Sequence, residues 1–341
     1  MKLDRGLWTR SLAEVPATAR ESEQLGFDAL WVQEAGNDPF LASAIAAEHT
    51  ERVKVGTAVA IAFPRSPMVT ACAAWDLARL ARGRFILGLG TQVKGHIERR
   101  YATRWEKPVA KLREYVEALR AIFSCFAAGG RKLSYQGKFY NFSLMTPFFA
   151  PEVHDYSRIP IYVAGVNDRI CELAGELCEG LHAHPFHSAK YLREFVLPHV
   201  AKGLARSGRQ RSDFTIATSV FVVTGRSPEE LERAKAAVRQ QIAFYASTRT
   251  YAVVLETHGW NDLPLRLNAM AARGQWDSMG REITDEMLEA YAVSGTPDDI
   301  GPRIKARYEG LVDRLALYIP YPSPLNAGQW RELAAWFNGA S

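Results

Sequence analysis

The chain has 341 residues, 48% hydrophobic and 23% charged, the balance of a folded globular protein and not of a disordered, collagenous or coiled-coil one. No run of about 18 apolar residues occurs, so no membrane span is expected, and the charged start Met1-Lys2-Leu3-Asp4-Arg5 lacks the apolar centre of a signal peptide. The net charge of +5 would permit nucleic acid, but no zinc pattern and no acid-free basic helix accompanies it, so no nucleic-acid partner is expected and the excess suits a polyanionic small ligand.

Along the chain, short apolar runs alternate with longer amphipathic stretches. The runs 3–8, 27–33, 53–61, 85–91, 159–165, 180–185, 214–224 and 315–320 read as eight strands, most of them apolar on both faces, as buried parallel strands are. Helices between them carry start and stop signals. Pro16 opens one that Gly26 ends, and Ser66-Pro67 opens another closed by Gly83. The stretch 108–126 places Val109, Leu112, Val116, Leu119, Phe123 and Phe126 at helical spacing. Asn167-Asp168-Arg169 starts a helix striped by Ile170, Leu173, Ala174 and Leu177. Ser227-Pro228-Glu229-Glu230 is a capping box, Thr296-Pro297-Asp298-Asp299 repeats its start signal, and a last helix covers 327–338.

Eight β–α alternations close a (β/α)8 TIM barrel. A doubly wound sheet would want Gly-x-Gly-x-x-Gly after the first strand, where Trp8-Thr9-Arg10-Ser11 stands instead. One domain over 1–341 is expected, with insertions at about 127–158, after strand four, and about 246–294, between strands seven and eight. The first insertion holds a small hairpin around 133–140. The four cysteines, Cys72, Cys125, Cys171 and Cys178, form no Cys-x-x-Cys pair and read as core residues in a reducing cytoplasm.

In such a barrel the chemistry sits at the C-terminal strand ends. No lysine stands there, which argues against a Schiff base. His182-x-His184 with Glu34 as the one end-of-strand carboxylate is too little for a metal, so none is expected, and no glycosidase pair is evident. What remains is small and glycine-rich: 58–62, 88–90 and 164–166, walls that let a flat ring approach the backbone. The helix start at Asn167 next to Gly165 is a candidate phosphate site, or else a plain capped turn. Arg65, Lys94, Arg99 and Arg100 are candidates for a second anion, or else solvated charges.

The segments 56–67 and 83–91, with Gly26-Phe27-Asp28-Ala29-Leu30-Trp31-Val32, Tyr135-Gln136-Gly137-Lys138-Phe139-Tyr140, Ala174-Gly175-Glu176-Leu177-Cys178-Glu179-Gly180 and Ser294-Gly295-Thr296-Pro297, resemble the bacterial-luciferase-like superfamily, in order from the first strand to the last helix. Leu144-Met145-Thr146-Pro147-Phe148-Phe149-Ala150-Pro151 and His184-Pro185-Phe186 resemble an actinobacterial branch assigned to the deazaflavin coenzyme F420. The resemblance implies a barrel, often a homodimer, that binds F420 or FMN. It implies a bulge with a non-prolyl cis peptide near Val59–Ile61, so that Ala58, Val59, Ala60 and Ile61 press on the ring. It matches Gly90, Thr91 and Gln92 to the ring-lining turn, and Ala164, Gly165, Val166 and Asn167 to the phosphate loop. Several deazaflavin dehydrogenases carry an Asp-His pair where this chain has Glu34-Ala35, so Glu34 keeps an acidic role and His184 or His96 is the candidate replacement acid/base, or else a structural residue. The reading is a cytoplasmic F420-dependent oxidoreductase that exchanges hydride with a small organic substrate. Its alternatives are an FMN-dependent monooxygenase served by a separate reductase, and a noncatalytic cofactor-binding protein.

Overall fold

The predicted runs assemble into a closed parallel barrel ringed by helices. In the computed structural model, which describes residues 1–339, the strands are β1 (Lys2–Leu7), β2 (Ala29–Val32), β3 (Lys54–Thr57) and its continuation β4 (Ala60–Ile61), β5 (Phe85–Gly90), the hairpin β6 (Tyr135–Gln136) and β7 (Asn141–Phe142), then β8 (Ile161–Gly165), β9 (Gly180–Ala183), β10 (Thr215–Thr224), β11 (Ala292–Gly295) and β12 (Arg314–Tyr318). Neighbours run β12-β1-β2-β3-β5-β8-β9-β10, and β10 pairs with both β9 and β12, which closes the ring. The hairpin stands outside it. No helix among the described residues is long and apolar enough to cross a membrane.

Local signals set most helix ends. Pro16 lies in the first turn of the helix Val15–Leu25, and Gly26 caps its end at φ 89°, a left-handed position suited to glycine. The Ser66 and Ser227 side chains accept the N–H groups of Met68 and Glu230. Three expectations need correction. The start signal at Thr296 makes a turn first, with the Asp299 and Ile300 N–H groups both on the Thr296 carbonyl, and the helix begins at Ile300. β11 was assigned to insertion: it is too short for its pattern to show, and it anneals to Phe221–Thr224, where the ten-residue β10 outruns β9. Cys72 is exposed, because the helix Pro67–Leu80 buries Thr70, Ala71, Ala74 and Trp75 instead; Cys125, Cys171 and Cys178 are buried.

The barrel interior is layered. At its N-terminal end Arg314 grips Asp4 with two nitrogens, at 2.9 and 2.7 Å, and also reaches Asp28. The Trp31 indole N–H donates to the same Asp4 carboxylate at 2.7 Å. Above this polar layer Trp31 packs with Ala29, Ile86, Tyr162 and Ala217. Asp4 is 1% exposed and Arg314 6%, so neither charge can turn to water if its partner is lost.

Between β3 and β4 the ladder on β5 slips. Gly56 faces Ile86 and Ala60 faces Leu89, so β3–β4 spends one more residue than β5 over the same span, a bulge. The Thr57 hydroxyl bridges the gap, donating to the Gly88 carbonyl at 2.6 Å and accepting its N–H at 2.9 Å. A Cβ on Gly88 would lie 1.8 Å from the Thr57 carbonyl oxygen, so only glycine fits there. The cis peptide is Ala58–Val59, at the near edge of the expected span.

Arg314→Met strands the Asp4 carboxylate in the interior and is expected to cost about 3–5 kcal/mol of unfolding free energy. The double variant with Asp4→Asn should recover part of that loss. Urea denaturation checks both, and a loss below about 1 kcal/mol for Arg314→Met would show that the pair is not needed for barrel stability.

Candidate active site

A cavity of about 390 Å3 opens at the C-terminal ends of the barrel strands. Ala58, Val59 and Ile61 line it from the bulge, Gly90, Thr91 and Gln92 from the end of β5, and Ala164 to Asn167 from the end of β8. Glu34 and His184 also line it. Two expected residues do not. Ala60 is fully buried where it pairs with Leu89. His96 is exposed on the helix Lys94–Arg99, which turns Ile97 to the core and so carries its neighbour outward.

Glu34 is the only Asp, Glu, Lys or Arg among the lining residues. Its Oε2 accepts from the Ile61 N–H and from Arg65, both at 2.7 Å, and Oε1 accepts from the Tyr101 hydroxyl at 3.1 Å. Both oxygens are thus engaged by donors, and one donor is the backbone of the bulge. Arg65 in turn reaches Asp38 at 2.8 Å. Burial opposes the Arg65 charge, but its bonds to Glu34 and Asp38 prevail and hold its pKa above the usual arginine value. Arg65 is therefore committed and offers no free anion site, while Lys94, Arg99 and Arg100 are exposed.

The β8 end is shaped for close approach. A Cβ on Gly165 would lie 2.2 Å from Ile170 Cγ2, and one on Gly90 2.5 Å from Val59 Cγ2. In the helix Asp168–Leu177 the Ile170 and Cys171 N–H groups bond back to the Asn167 carbonyl, whereas those of Asp168 and Arg169 have no acceptor among the described residues. The buried Tyr191 hydroxyl donates to the Val166 carbonyl and ties the loop down.

Three histidines lie close together in sequence around β9. His184 Nδ1 accepts the Phe186 N–H at 3.1 Å, which assigns the ring proton to Nε2, and Nε2 has no partner among the described residues. Burial pushes its pKa down to about 3, with His187 adding to the effect. His182 forms part of the cavity lining, edge-on to Trp31 at 4.7 Å, and its buried Nε2 makes no well-formed hydrogen bond among the described residues. Burial, then Arg314, lowers it to about 3 against the Thr57 carbonyl. His187 Nδ1 donates to the His184 carbonyl at 2.8 Å, and burial lowers its pKa to about 4. All three are neutral at pH 7. No group of three or more His, Cys, Asp or Glu among the described residues could hold a metal ion.

Sequence reasoning missed the far wall. Tyr245 ends the helix Pro228–Ala246, Tyr251 belongs to the second insertion and Tyr318 ends β12, yet all three line the cavity. Tyr318 stood in a strand end, but only the fold brings the other two to it.

The strand ends of this eight-stranded barrel thus form a glycine-walled slot with one charged lining residue. The luciferase-like monooxygenase model matches residues 3–314, and the chain belongs to that family. An uncharacterized protein of Mycobacterium tuberculosis is 45% identical over 92% of each chain. A 5,10-methylenetetrahydromethanopterin reductase of Archaeoglobus fulgidus is 30% identical over 83% of this chain and 82% of its own. Among solved structures, the coenzyme F420 dependent tetrahydromethanopterin reductase from Methanopyrus kandleri has a TM-score of 0.77 at 19% identity, covering 99% of this chain and 98% of that one. The oxygenating constituent of 3,6-diketocamphane monooxygenase from Pseudomonas putida, in complex with FMN, has 0.68 at 18%, over 99% and 98%.

The buried histidines set a pH dependence. Their folded pKa values lie below the usual 6.5, so the unfolded chain binds more protons between about pH 6.5 and 4. Stability is therefore full above 6.5 and falls as pH drops, by about 1.4 kcal/mol per pH unit for each histidine. Urea unfolding at pH 7.5, 6 and 5 should show this slope, and His187→Gln should flatten it by one proton; an unchanged slope would contradict the assignment.

Proposed function

We propose that the chain is an oxidoreductase that exchanges hydride between F420 and a small organic substrate in this cavity. The observation that carries the reading is the slot itself. Side chains at Gly90 and Gly165 would collide with Val59 and Ile170, so backbone faces the space, and the unbonded N–H groups of Asp168 and Arg169 suit a phosphate at its end. When bound, the deazaflavin supplies a ring carbon that gives or takes hydride. On this reading Ala58, Val59, Ile61 and Gly90 to Gln92 hold the ring, and Ala164 to Asn167 hold the tail. Glu34 is a positioning residue: through the Ile61 N–H and Arg65 it fixes the bulge under the ring. His184, neutral and with its proton on Nε2, orients the substrate. Sequence similarity to a putative coenzyme F420-dependent oxidoreductase of Mycobacterium tuberculosis, 28% identical over 87% of this chain and 88% of its own, supports the choice of F420.

Side-by-side fluorescence titration tests the cofactor. F420 is expected to bind at least about tenfold tighter than FMN. Oxygen uptake with reduced FMN, and none with F420, would overturn the proposal in favour of a monooxygenase. Gly90→Ala sets a methyl against Val59 and is expected to weaken cofactor binding about tenfold while the chain still melts in one cooperative transition at a lowered midpoint. Glu34→Gln should weaken cofactor binding and leave the shape of the pH–rate profile intact; loss of one limb of that profile would instead assign Glu34 a proton-transfer role.

A further inference from the structure

In the strand order of the barrel, β10 and β12 stand across from β3 and β5, so the cavity has a second wall that faces the glycine wall. It is aromatic. The His184 ring stacks on Tyr251 at 4.4 Å and meets Tyr245 edge-on at 4.6 Å. The hydroxyls of Tyr245 and Tyr318 lie 3.0 Å apart. We propose that this wall receives a flat, uncharged carbonyl compound and holds its oxygen with two neutral donors, His184 Nε2–H and the spare hydroxyl proton of the tyrosine pair. The inference rests on the cavity being a hydride-transfer site, for which it names the substrate class.

The chemistry of the wall leads there by exclusion. His184 lines the cavity and its Nδ1 is occupied by the Phe186 N–H, so its other nitrogen carries a proton to donate and no lone pair to accept one. Of the two phenols, one donates to the other; Tyr245 also has Gln241 as a hydrogen-bonding neighbour, so the spare proton is that of the Tyr318 hydroxyl, which has no other partner among the described residues. Both tyrosines stay un-ionised, since burial raises their pKa values, and His184 stays un-ionised because burial lowers its own. Two donors without a base suit an oxygen that carries partial negative charge, as a carbonyl oxygen does; a neutral imidazole polarises such a group without giving up its proton. The stacked rings favour a planar partner. No charged side chain lines this wall, so an ionised substituent there would go uncompensated.

The test uses the full chain loaded with whichever of F420 or FMN it binds, in the oxidised form so that no turnover occurs. 4-Methoxybenzaldehyde is titrated against 4-methylanisole, which lacks the carbonyl, and 4-formylbenzoate, which adds a charge. The aldehyde is expected to bind at least about tenfold tighter than either, with its carbonyl stretch moved to lower wavenumber in the Raman difference spectrum. His184→Ala and Tyr318→Phe should each weaken it about tenfold and return the band upward, while cofactor affinity stays within about twofold. Tyr318→Phe removes one oxygen only, so it keeps the test sound if His184→Ala misfolds. Equal binding of 4-methylanisole, an unshifted carbonyl band, or a band that both variants leave in place would overturn the proposal. If the loaded cofactor proves to be FMN, the F420 reading falls, and the aldehyde titration is read unchanged.

Discussion

The two-point contact between Arg314 and Asp4 joins the last barrel strand to the first, 310 residues apart in sequence. A barrel must close between its chain ends, and here closure is made by charge as well as by the β1–β12 ladder. The same carboxylate holds the Trp31 indole, and Trp31 in turn meets the edge of His182. The stack therefore runs from the ion pair through an aromatic layer to the cavity floor. Its height decides how much empty barrel is left above it. A polar network of this kind is stabilising only when every member is satisfied, and Asp4, with three donors, is.

The bulge is the second constraint, and it answers to a different physics. Backbone, and not side chain, forms the wall nearest the slot, so the order imposed on it must come from outside. Thr57 holds one side through Gly88, and Glu34 holds the other through Ile61. A carboxylate that receives a backbone N–H, a guanidinium and a phenol is a fixed point more than a shuttle. This separates the wall that shapes the slot from the aromatic wall that faces it.

Much of this was legible before any coordinates. Buried parallel strands announce themselves as runs apolar on both faces, as most of the eight did. The slot was legible in outline because its walls are short consecutive runs of small residues at strand ends, 58–62, 88–90 and 164–166; the resemblance moved the second to 90–92 and carried the third to Asn167, and Ala60 alone of those matched residues does not line the cavity. β11 was not, since its four residues owe their strand to the free edge of β10 and not to their own pattern. Arg65 read as a spare cation because its partners, Glu34 and Asp38, are about 30 residues upstream. His96 read as a site residue by nearness in sequence to Gln92, yet one turn of helix carries it to solvent. The aromatic wall joins residues 184, 245, 251 and 318, which no local signal connects.

β11 has one more consequence. The second insertion leaves from the end of the helix after β10 and returns as a strand on β10 itself. Both of its ends are moored to one β–α unit, so the excursion forms a side loop of that unit. Lengthening such a loop costs only about 0.6 kcal/mol of closure entropy for each doubling. The segment that brings Tyr251 to the cavity wall can thus change its length and sequence while the barrel register stays as it is. One scaffold can in this way present many different walls to the same slot.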